Sequence, residues 1–436
     1  MEKSFKMSLA SVIFTMGQKF RNPSLQKWFH FLKQSEKWSL DTLEAYQLEK
    51  LQELVQVAYQ NSSFYKKKWD KAYFHPSEIK QLSDLKKIPI TTKNELIENS
   101  KTNTTNIHFK RAFKATTSGT SGNALQFLRE ESADSFNRAA IFRGYSWYNV
   151  KPWELNGYLW GFNFSFIEKA KTRVLDGFQN RFRLFEYQEN KVAKFLKKLE
   201  KATYLHGYSS MIYELAKKVN EKQYGKPLQL KMVKGTSEKI FDSYKNEVEK
   251  AFGTKIISEY GAAETGIIAF ECQHGNMHIT MEGVIVEEIE NEIVVTNLQM
   301  LSFPVIRYKL GDYIKLRANN NVCECGMHHS VIEEVTGRIG KNVYGKKQVY
   351  PSLYFYYVFK NLGKQHELLL NYQVHQHKKG NLLVLIEQIL TDNEKKLVAD
   401  EMKVYFKEDV DFEILDNQKI KTTNKKQQSF ISEIDV

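Results

Sequence analysis

The chain has 436 residues, of which 42% are apolar and 13% aromatic, and a formal net charge of +13 from 64 Lys and Arg against 51 Asp and Glu. That length exceeds what one hydrophobic core usually serves, so two or more folding units are expected, and the apolar share excludes disorder over most of the chain. The lysines are scattered rather than gathered in one block, and no aromatic-and-basic signature accompanies them, so a solvated surface is expected and no nucleic-acid partner.

Three cysteines, Cys272, Cys323 and Cys325, are too few for a disulfide framework and fit a reducing, cytoplasmic setting. No apolar run approaches the roughly 18 residues that span a bilayer. Lys3 and Lys6 precede the apolar stretch MSLASVIF without a small-residue cleavage site. That stretch reads as an N-terminal helix resting on the body or on a membrane surface, not as a signal peptide.

Residues 38 to 75 read as helix, with Leu51, Leu54, Val55 and Ala58 at helical spacing, and Pro76 and Pro89 punctuate shorter elements after it. Residues 1–110 are thus a mainly helical lead-in. From about 130 to 220, NGYLWGF and TYLHGY read as strands between the helices KVAKFLKKLEKA and SSMIYELAKKVNEK. Such alternation predicts an α/β unit with a largely parallel sheet. Past about 275, GVIVEEI, NEIVVTNL and DYIKLRA are short strands suited to antiparallel pairing. A last block after Gly337 holds a helix at PSLYFYYVFKNL, the strand NLLVLIEQ, the helix DNEKKLVADEMKVYF and the strand DFEIL. The expected architecture is therefore α/β: a large N-terminal domain with mixed sheets over 1–336, and a small mobile α+β C-terminal domain over 337–436.

Four constellations carry chemistry. Thr116 to Gly122 alternates hydroxyls with glycines, and glycine lets backbone N–H groups close around phosphate oxygens. It is not a Walker A loop, because Asn123 and Ala124 follow Gly122 where Lys and Ser/Thr would be needed. In ISEYGAAETG a strand runs into a glycine turn, with Glu264 just beyond as a carboxylate able to hold Mg²⁺ against phosphates. In RYKLGD, Asp312 follows a turn glycine and could accept both ribose hydroxyls. Arg338 in the later Gly-Arg pair offers forked donors. Finally, Cys272, His278, Cys323 and Cys325 supply three thiolates and an imidazole, enough for a structural zinc site. His278 is preferred to His274 as the fourth ligand. Three unrelated buried cysteines are the plainer alternative.

Taken in order, TSGTSG, then Tyr-Gly-x-x-Glu, then Tyr-x-x-Gly-Asp, then Gly-Arg resemble the adenylate-forming superfamily of acyl-CoA synthetases. Within it the likeness is to the phenylacetate–CoA ligase-like branch, including relatives in capsular polysaccharide loci. LQELVQVAYQNSSFYKKKW and LKKIPITTKNELIEN resemble two N-terminal segments of that branch, so the likeness runs from about residue 45 to the C-terminus.

The resemblance implies ATP-dependent activation of a carboxylic acid as acyl-AMP. The acyl group would then pass to coenzyme A, a carrier-protein thiol, or an amine or hydroxyl on a sugar. Thr117, Ser118, Gly119, Thr120, Ser121 and Gly122 would hold the ATP phosphates. Tyr260, with Gly261, would stack beside the adenine, Glu264 would coordinate Mg²⁺, and Asp312 and Arg338 would bind the ribose. Ser237 and Glu238 would line the nucleotide and acyl pocket. The tail KTTNKKQQSFIS matches the family's catalytic-lysine segment if Lys426 is that lysine, with Lys425 where the family carries glycine.

The sequence departs from the family in that tail, at Ala124 in place of a proline, and at the hinge, where Gly340-Lys341 replaces the usual Asp. The altered tail and Ala124 support a rival reading, a non-catalytic nucleotide-binding relative that serves as a scaffold. His206 and Tyr208 fall where the family places acyl-pocket or loop residues, with simple packing as the alternative for either. Trp147, Trp153, Trp160, Phe162 and Phe164 form either an aromatic pocket or core packing. A monomer or homodimer is expected.

Overall fold

A computed structural model describes residues 8–117, 124–159, 166–184, 189–221, 228–318, 322–338, 342–350, 352–420 and 429–434. Before the first strand these are helical: Leu9–Arg21, Leu25–Ser35, Leu40–Asn61 and Ser63–Lys71, then short turns of 3₁₀ and α-helix to Asn103. The expected single helix over 38–75 is two. Ser62 takes an extended conformation, its amide closes the first helix on Ala58, and its hydroxyl accepts from the Tyr65 amide to start the second.

The strands are β1 (Ala112–Thr116), β2 (Gln126–Glu130), β3 (Asn156–Leu159), β4 (Arg181–Arg183), β5 (Tyr204–Tyr208), β6 (Met232–Thr236), β7 (Ile256–Ala262), β8 (Gly266–Glu271), β9 (Met277–Ile279), β10 (Val284–Ile289), β11 (Glu292–Asn297), β12 (Tyr308–Leu316), β13 (Val331–Arg338), β14 (Val343–Tyr344), β15 (Val349–Tyr350), β16 (Tyr372–Lys378), β17 (Asn381–Ile386), β18 (Asp411–Leu415) and β19 (Phe430–Ser432). Among the described residues, eleven of them form one sheet in the order β10-β11-β12-β13-β9-β8-β7-β6-β5-β3-β4.

From β4 to β7 every pairing is parallel, and from β7 to β10 every pairing is antiparallel. The parallel half is packed by helices Glu189–Leu199, Ser209–Glu221 and Asp242–Phe252 around a core that includes Leu205, Val233 and Phe252. The change of pattern comes at Gly266, earlier than the residue 275 expected from sequence, because the chain reverses through residues 263–265 and returns as β8.

Two further corrections concern glycines. Gly261 does not make a turn: it lies inside β7, where a Cβ would sit 2.4 Å from the Gly266 carbonyl oxygen. Gly311 lies mid-strand in β12 at φ +83°, in a bulge that shifts the register against β11. No other atom comes within 4 Å of a Cβ built there, so Gly311 is needed for its backbone angle and Gly261 for close approach.

After β13 the chain forms a separate four-stranded sheet, β18-β17-β16-β19, with helices Leu353–His366 and Asp392–Phe406 over its own core of Val358, Val374, Val384 and Phe406. β16 went unread in the sequence because YQVHQHK lacks an apolar run. Its buried Gln376 earns its place by pairing with the β14 backbone, accepting from Tyr344 N at 2.9 Å and donating to Tyr344 O at 2.8 Å. This unit contacts the rest through the Lys217–Glu387 ion pair, the Ser243–Asn371 hydrogen bond and Lys239, whose Nζ lies 3.3 Å over the Tyr356 ring. No described helix is long and apolar enough to cross a membrane.

Candidate active site and cysteine–histidine cluster

The β7–β8 hairpin and β12 bring three of the sequence-selected residues together with a fourth, Tyr308. Tyr308, first residue of β12, donates from its hydroxyl to Glu264 Oε1 at 3.0 Å. Four residues on, past the Gly311 bulge, Asp312 Oδ2 accepts from the Tyr260 hydroxyl at 2.7 Å. Both acids are thus held by tyrosines between the β7–β8 hairpin and β12. Arg338 pairs with Asp312 through backbone register on β13, and nothing is described of its side chain. Glu264 is buried, and Asn297 donates to the Thr265 carbonyl behind it at 3.1 Å.

The loop of hydroxyls and glycines is reached from the β1–β2 hairpin. Thr117 closes its neck: the Thr117 amide donates to Leu125 O at 3.0 Å, and the Leu125 amide donates to Thr117 Oγ1 at 2.9 Å. Ser118, Gly119, Thr120, Ser121 and Gly122 lie outside the described residues, as do Lys425, Lys426, Gly340, Lys341, Trp160, Phe162 and Phe164. Arg129 of β2 donates to the Ala263 carbonyl, so the hairpin carrying the loop is tied to the turn that carries Glu264.

Other motif residues serve the scaffold. Arg307 forks onto Glu287 at 2.9 Å through both Nε and Nη2, and its Nη1 donates to the Lys86 and Ile88 carbonyls. This fastens the LKKIP segment to β12. The Glu238 carboxylate accepts from the Ser210 amide at 2.9 Å and its hydroxyl at 2.7 Å, at the N-terminus of helix Ser209–Glu221. Ser237 beside it has φ +67°. Trp147 packs on Phe270 and donates to Glu36, and Trp153 packs on Phe14, as core aromatics do.

Apart from His206, sequence reasoning missed a polar row on the parallel half, buried at His206 and Lys234 and half-buried at Tyr158 and Arg183. Arg183, Tyr158, His206 and Lys234 stand in register on β4, β3, β5 and β6, and so share a face. Tyr158 stacks on His206 at 4.4 Å, with the Arg181 and Arg183 guanidiniums 4.3 and 4.6 Å from its ring centroid. Lys234 pairs with Glu259 of β7, which also accepts from Thr236 Oγ1 at 3.1 Å. Burial, then the nearby Arg181, Lys234 and Arg183 charges, push the His206 imidazole well below its ordinary pKa, so it is neutral. Beyond His206, the one signal available was a lysine inside the apolar strand MVKGT.

Cys272, His278, Cys323 and Cys325 converge, their donor atoms all within 4.8 Å of one another. Cys272 Sγ is 3.9 Å from Cys323 Sγ, and Cys325 Sγ is 3.2 Å from His278 Nε2. Zinc bonds near 2.3 Å to sulfur and 2.0 Å to nitrogen imply tetrahedral edges of roughly 3.5–3.8 Å, so the donors fit one ion. Gly275 and Gly326, at φ +75° and +81°, close matching turns onto the Cys272 and Cys323 carbonyls. His278 Nδ1 lies 3.2 Å from the His329 carbonyl, which fixes the tautomer with Nε2 bare towards the sulfurs.

Burial lowers the His278 pKa to about 4 and raises the Cys325 thiol to about 12. Burial works against Cys323 too, but hydrogen bonds from the Cys325 backbone and thiol and from Asn276 bring it below its ordinary value. His274 instead pairs with exposed Glu324 at 3.0 Å.

No family model matches the chain. Its fold, however, is that of the adenylate-forming ligases: it aligns with 2-hydroxyisobutyryl-CoA ligase in the postadenylation state with a TM-score of 0.70, 17% identity and 92% of each chain covered. Against the same ligase in the thioesterification state the TM-score is 0.60. The local sequence likeness falls in the phenylacetate–CoA ligase-like branch. A stretch of 61 residues is 43% identical to phenylacetate–coenzyme A ligase of Escherichia coli K12, covering 14% of either chain. Over 129 residues the chain is 25% identical to protein CapK of Staphylococcus aureus, covering 28% of this chain and 29% of that one. The matched stretches therefore span well under a third of these relatives' own length.

Proposed function

We propose that the chain is an ATP-dependent adenylate-forming ligase. A carboxylate oxygen attacks the α-phosphorus of ATP, pyrophosphate leaves, and acyl-AMP forms. The acceptor's thiol, amine or hydroxyl then attacks the acyl carbon and AMP departs. The observation that carries this reading is the pair of acids on the β7–β8 hairpin and β12, each held by a tyrosine, on a hairpin turn that is hydrogen-bonded to Arg129 of the strand leaving the hydroxyl–glycine loop.

In this reading Asp312 accepts from the ribose hydroxyls, with Arg338 beside them, and Tyr260 stands against the adenine. The backbone of 117–122 donates to the phosphates. Glu264 would hold Mg²⁺, which when bound offsets phosphate charge. Lys426 brings an ammonium to the reacting carboxylate and α-phosphate. Residues 337–436 would form a lid that turns between the two half-reactions. Coenzyme A is the first acceptor to test, because one of the two relatives and the aligned structure bear the names of CoA ligases. A sugar acceptor rests on the CapK likeness alone.

The Cys272, His278, Cys323 and Cys325 set would hold zinc for structure, since four protein ligands leave no open position for substrate. Stripping the metal with a chelator should lower the melting temperature by more than about 5 °C, with metal analysis of the purified protein reading one equivalent lost.

The deciding experiment is carboxylate-dependent ATP–pyrophosphate exchange over aryl, fatty, hydroxy and amino acids. Exchange with one class, reduced about 10²-fold or more in Lys426→Ala, is the expected outcome. ATP binding without exchange on any acid would favour the scaffold reading, and failure to bind ATP would sink both.

A further inference from the structure

Six of the thirteen large hydrophobic side chains exposed among the described residues sit on two helices that pack against each other, Leu9–Arg21 and Phe166–Phe178. Helix Leu9–Arg21 turns Phe14 inward, its ring 5.8 Å from Phe142 and 5.9 Å from Trp153. Leu9, Met16 and Phe20, spaced i, i+7 and i+11, lie on an outward face, with Phe20 82% exposed. On the neighbouring helix Val174, Leu175 and Phe178 do the same at i, i+1 and i+4, while Asp176 is buried against Arg183.

The outward orientation is held in place. Arg21 and Asn22, at the end of the first helix, both donate to Asp134 of helix Glu131–Trp147, at 2.7 and 2.9 Å. A helix merely short of core contacts would not be anchored so that its phenylalanine points away from the body.

Among the described residues, the exposed charges on these two helices share one sign. Leu9–Arg21 contains no acid at all, and the exposed charged side chains described on the two helices are Lys19, Lys171 and Arg173. An apolar face rimmed by cations matches the interface of a bilayer bearing anionic headgroups, where the apolar side chains enter the acyl boundary and the cations meet phosphate. A second copy of the chain fits less well. A two-fold contact through this face would set it against itself, cation against cation.

We propose that these two helices are a docking face for the surface of a membrane carrying anionic lipid. The inference is independent of the proposed catalytic activity, since none of its residues belongs to the nucleotide site.

The test is flotation of the purified full chain with vesicles of phosphatidylcholine, with or without phosphatidylglycerol, at low and high salt. Binding should require phosphatidylglycerol and weaken as salt rises. Phe20→Glu/Leu175→Glu/Phe178→Glu should lower the bound fraction at least about tenfold. The charge reversal Lys19→Glu/Lys171→Glu should do the same. Val404→Glu, at another exposed apolar position, should bind as the parent does. Thermal unfolding checks that each variant is folded; if the apolar variant is not, the charge reversal decides alone. No binding of the parent to anionic vesicles, undiminished binding by the folded variants, or a self-association lost in the same variants without vesicle binding would overturn the proposal.

Discussion

On the parallel half of the large sheet, charge is buried across neighbouring strands: Lys234 of β6 meets Glu259 of β7, beside His206 and Tyr158. On the antiparallel half, polar chemistry gathers at one bulged strand and one tight hairpin, where Tyr260, Glu264, Tyr308 and Asp312 meet. Both arrangements answer the same demand, that an acid wholly or partly buried be hydrogen-bonded or paired. They differ in what the demand leaves behind. In the first, the acid is met by an ammonium; in the second, each acid is held by a phenol, and a phenol offers one donor and no charge. The proposed nucleotide site is the second of these arrangements, where the sequence motifs and the tyrosine-held acids coincide.

The largest expected effect tests the first half of that contrast. Lys234→Met would leave the Glu259 carboxylate buried without its ammonium, costing about 3–5 kcal/mol in urea unfolding. Lys234→Met/Glu259→Leu should recover most of that loss, because the uncompensated charge goes with it. A single variant as stable as the parent would mean that the pair is not a structural charge pair, and the comparison would fail.

This contrast also explains what could be read in advance. Gly261 and Gly311 are visible because backbone approach and a positive φ admit little else, and Tyr260, Glu264 and Asp312 keep fixed spacings from them. The α/β order and the antiparallel strands were legible from periodicity. Lys234, Glu259, Arg181 and Arg183 were not, because they meet through register between strands separated by helices. Nor could the sequence show that Arg307, inside a motif, is spent on Glu287 and the LKKIP backbone. The role of Tyr308 was missed for a similar reason: its partner lies 44 residues away. For the cysteines, the sequence named the set with His278 preferred, and the fold brings those four donors together while His274 pairs with Glu324.

A middle-sized effect concerns the buried acid that joins the antiparallel half to helix Glu131–Trp147. Glu282 accepts from Arg143 at 2.6 Å, from His329 at 3.0 Å and from Ser35. Burial pushes its carboxyl up, but the Arg143 and His329 charges and the hydrogen bonds from His329 and Ser35 more than reverse this and hold it well below its ordinary 4.5. The folded state therefore binds this proton less readily than the unfolded chain. The resulting stability is present above about pH 4.5 and is lost as pH falls below it. Glu282→Gln should cost about 2–3 kcal/mol at neutral pH. It should also flatten the acid limb of stability against pH, read as urea midpoints from neutral to acid. An acid limb as steep as the parent's would place that titration elsewhere.

The smallest effect is the most specific to the site. Tyr260→Phe keeps the ring and removes the hydroxyl that holds Asp312 at 2.7 Å, a hydrogen bond worth about 1 kcal/mol. If Asp312 serves the ribose, loosening it should raise the ATP KM in the exchange assay roughly fivefold and leave kcat nearly unchanged, since the bond acts in binding rather than in the transition state. Tyr308→Phe loosens Glu264 instead. It should change the dependence on Mg²⁺ concentration more than the ATP KM measured at saturating Mg²⁺. The two phenols both bridge β12 and the β7–β8 hairpin and make similar bonds, so a general loss of packing would move both readouts together in both variants. Separate movement, one variant for each readout, is what a nucleotide site with a ribose acid and a metal acid requires.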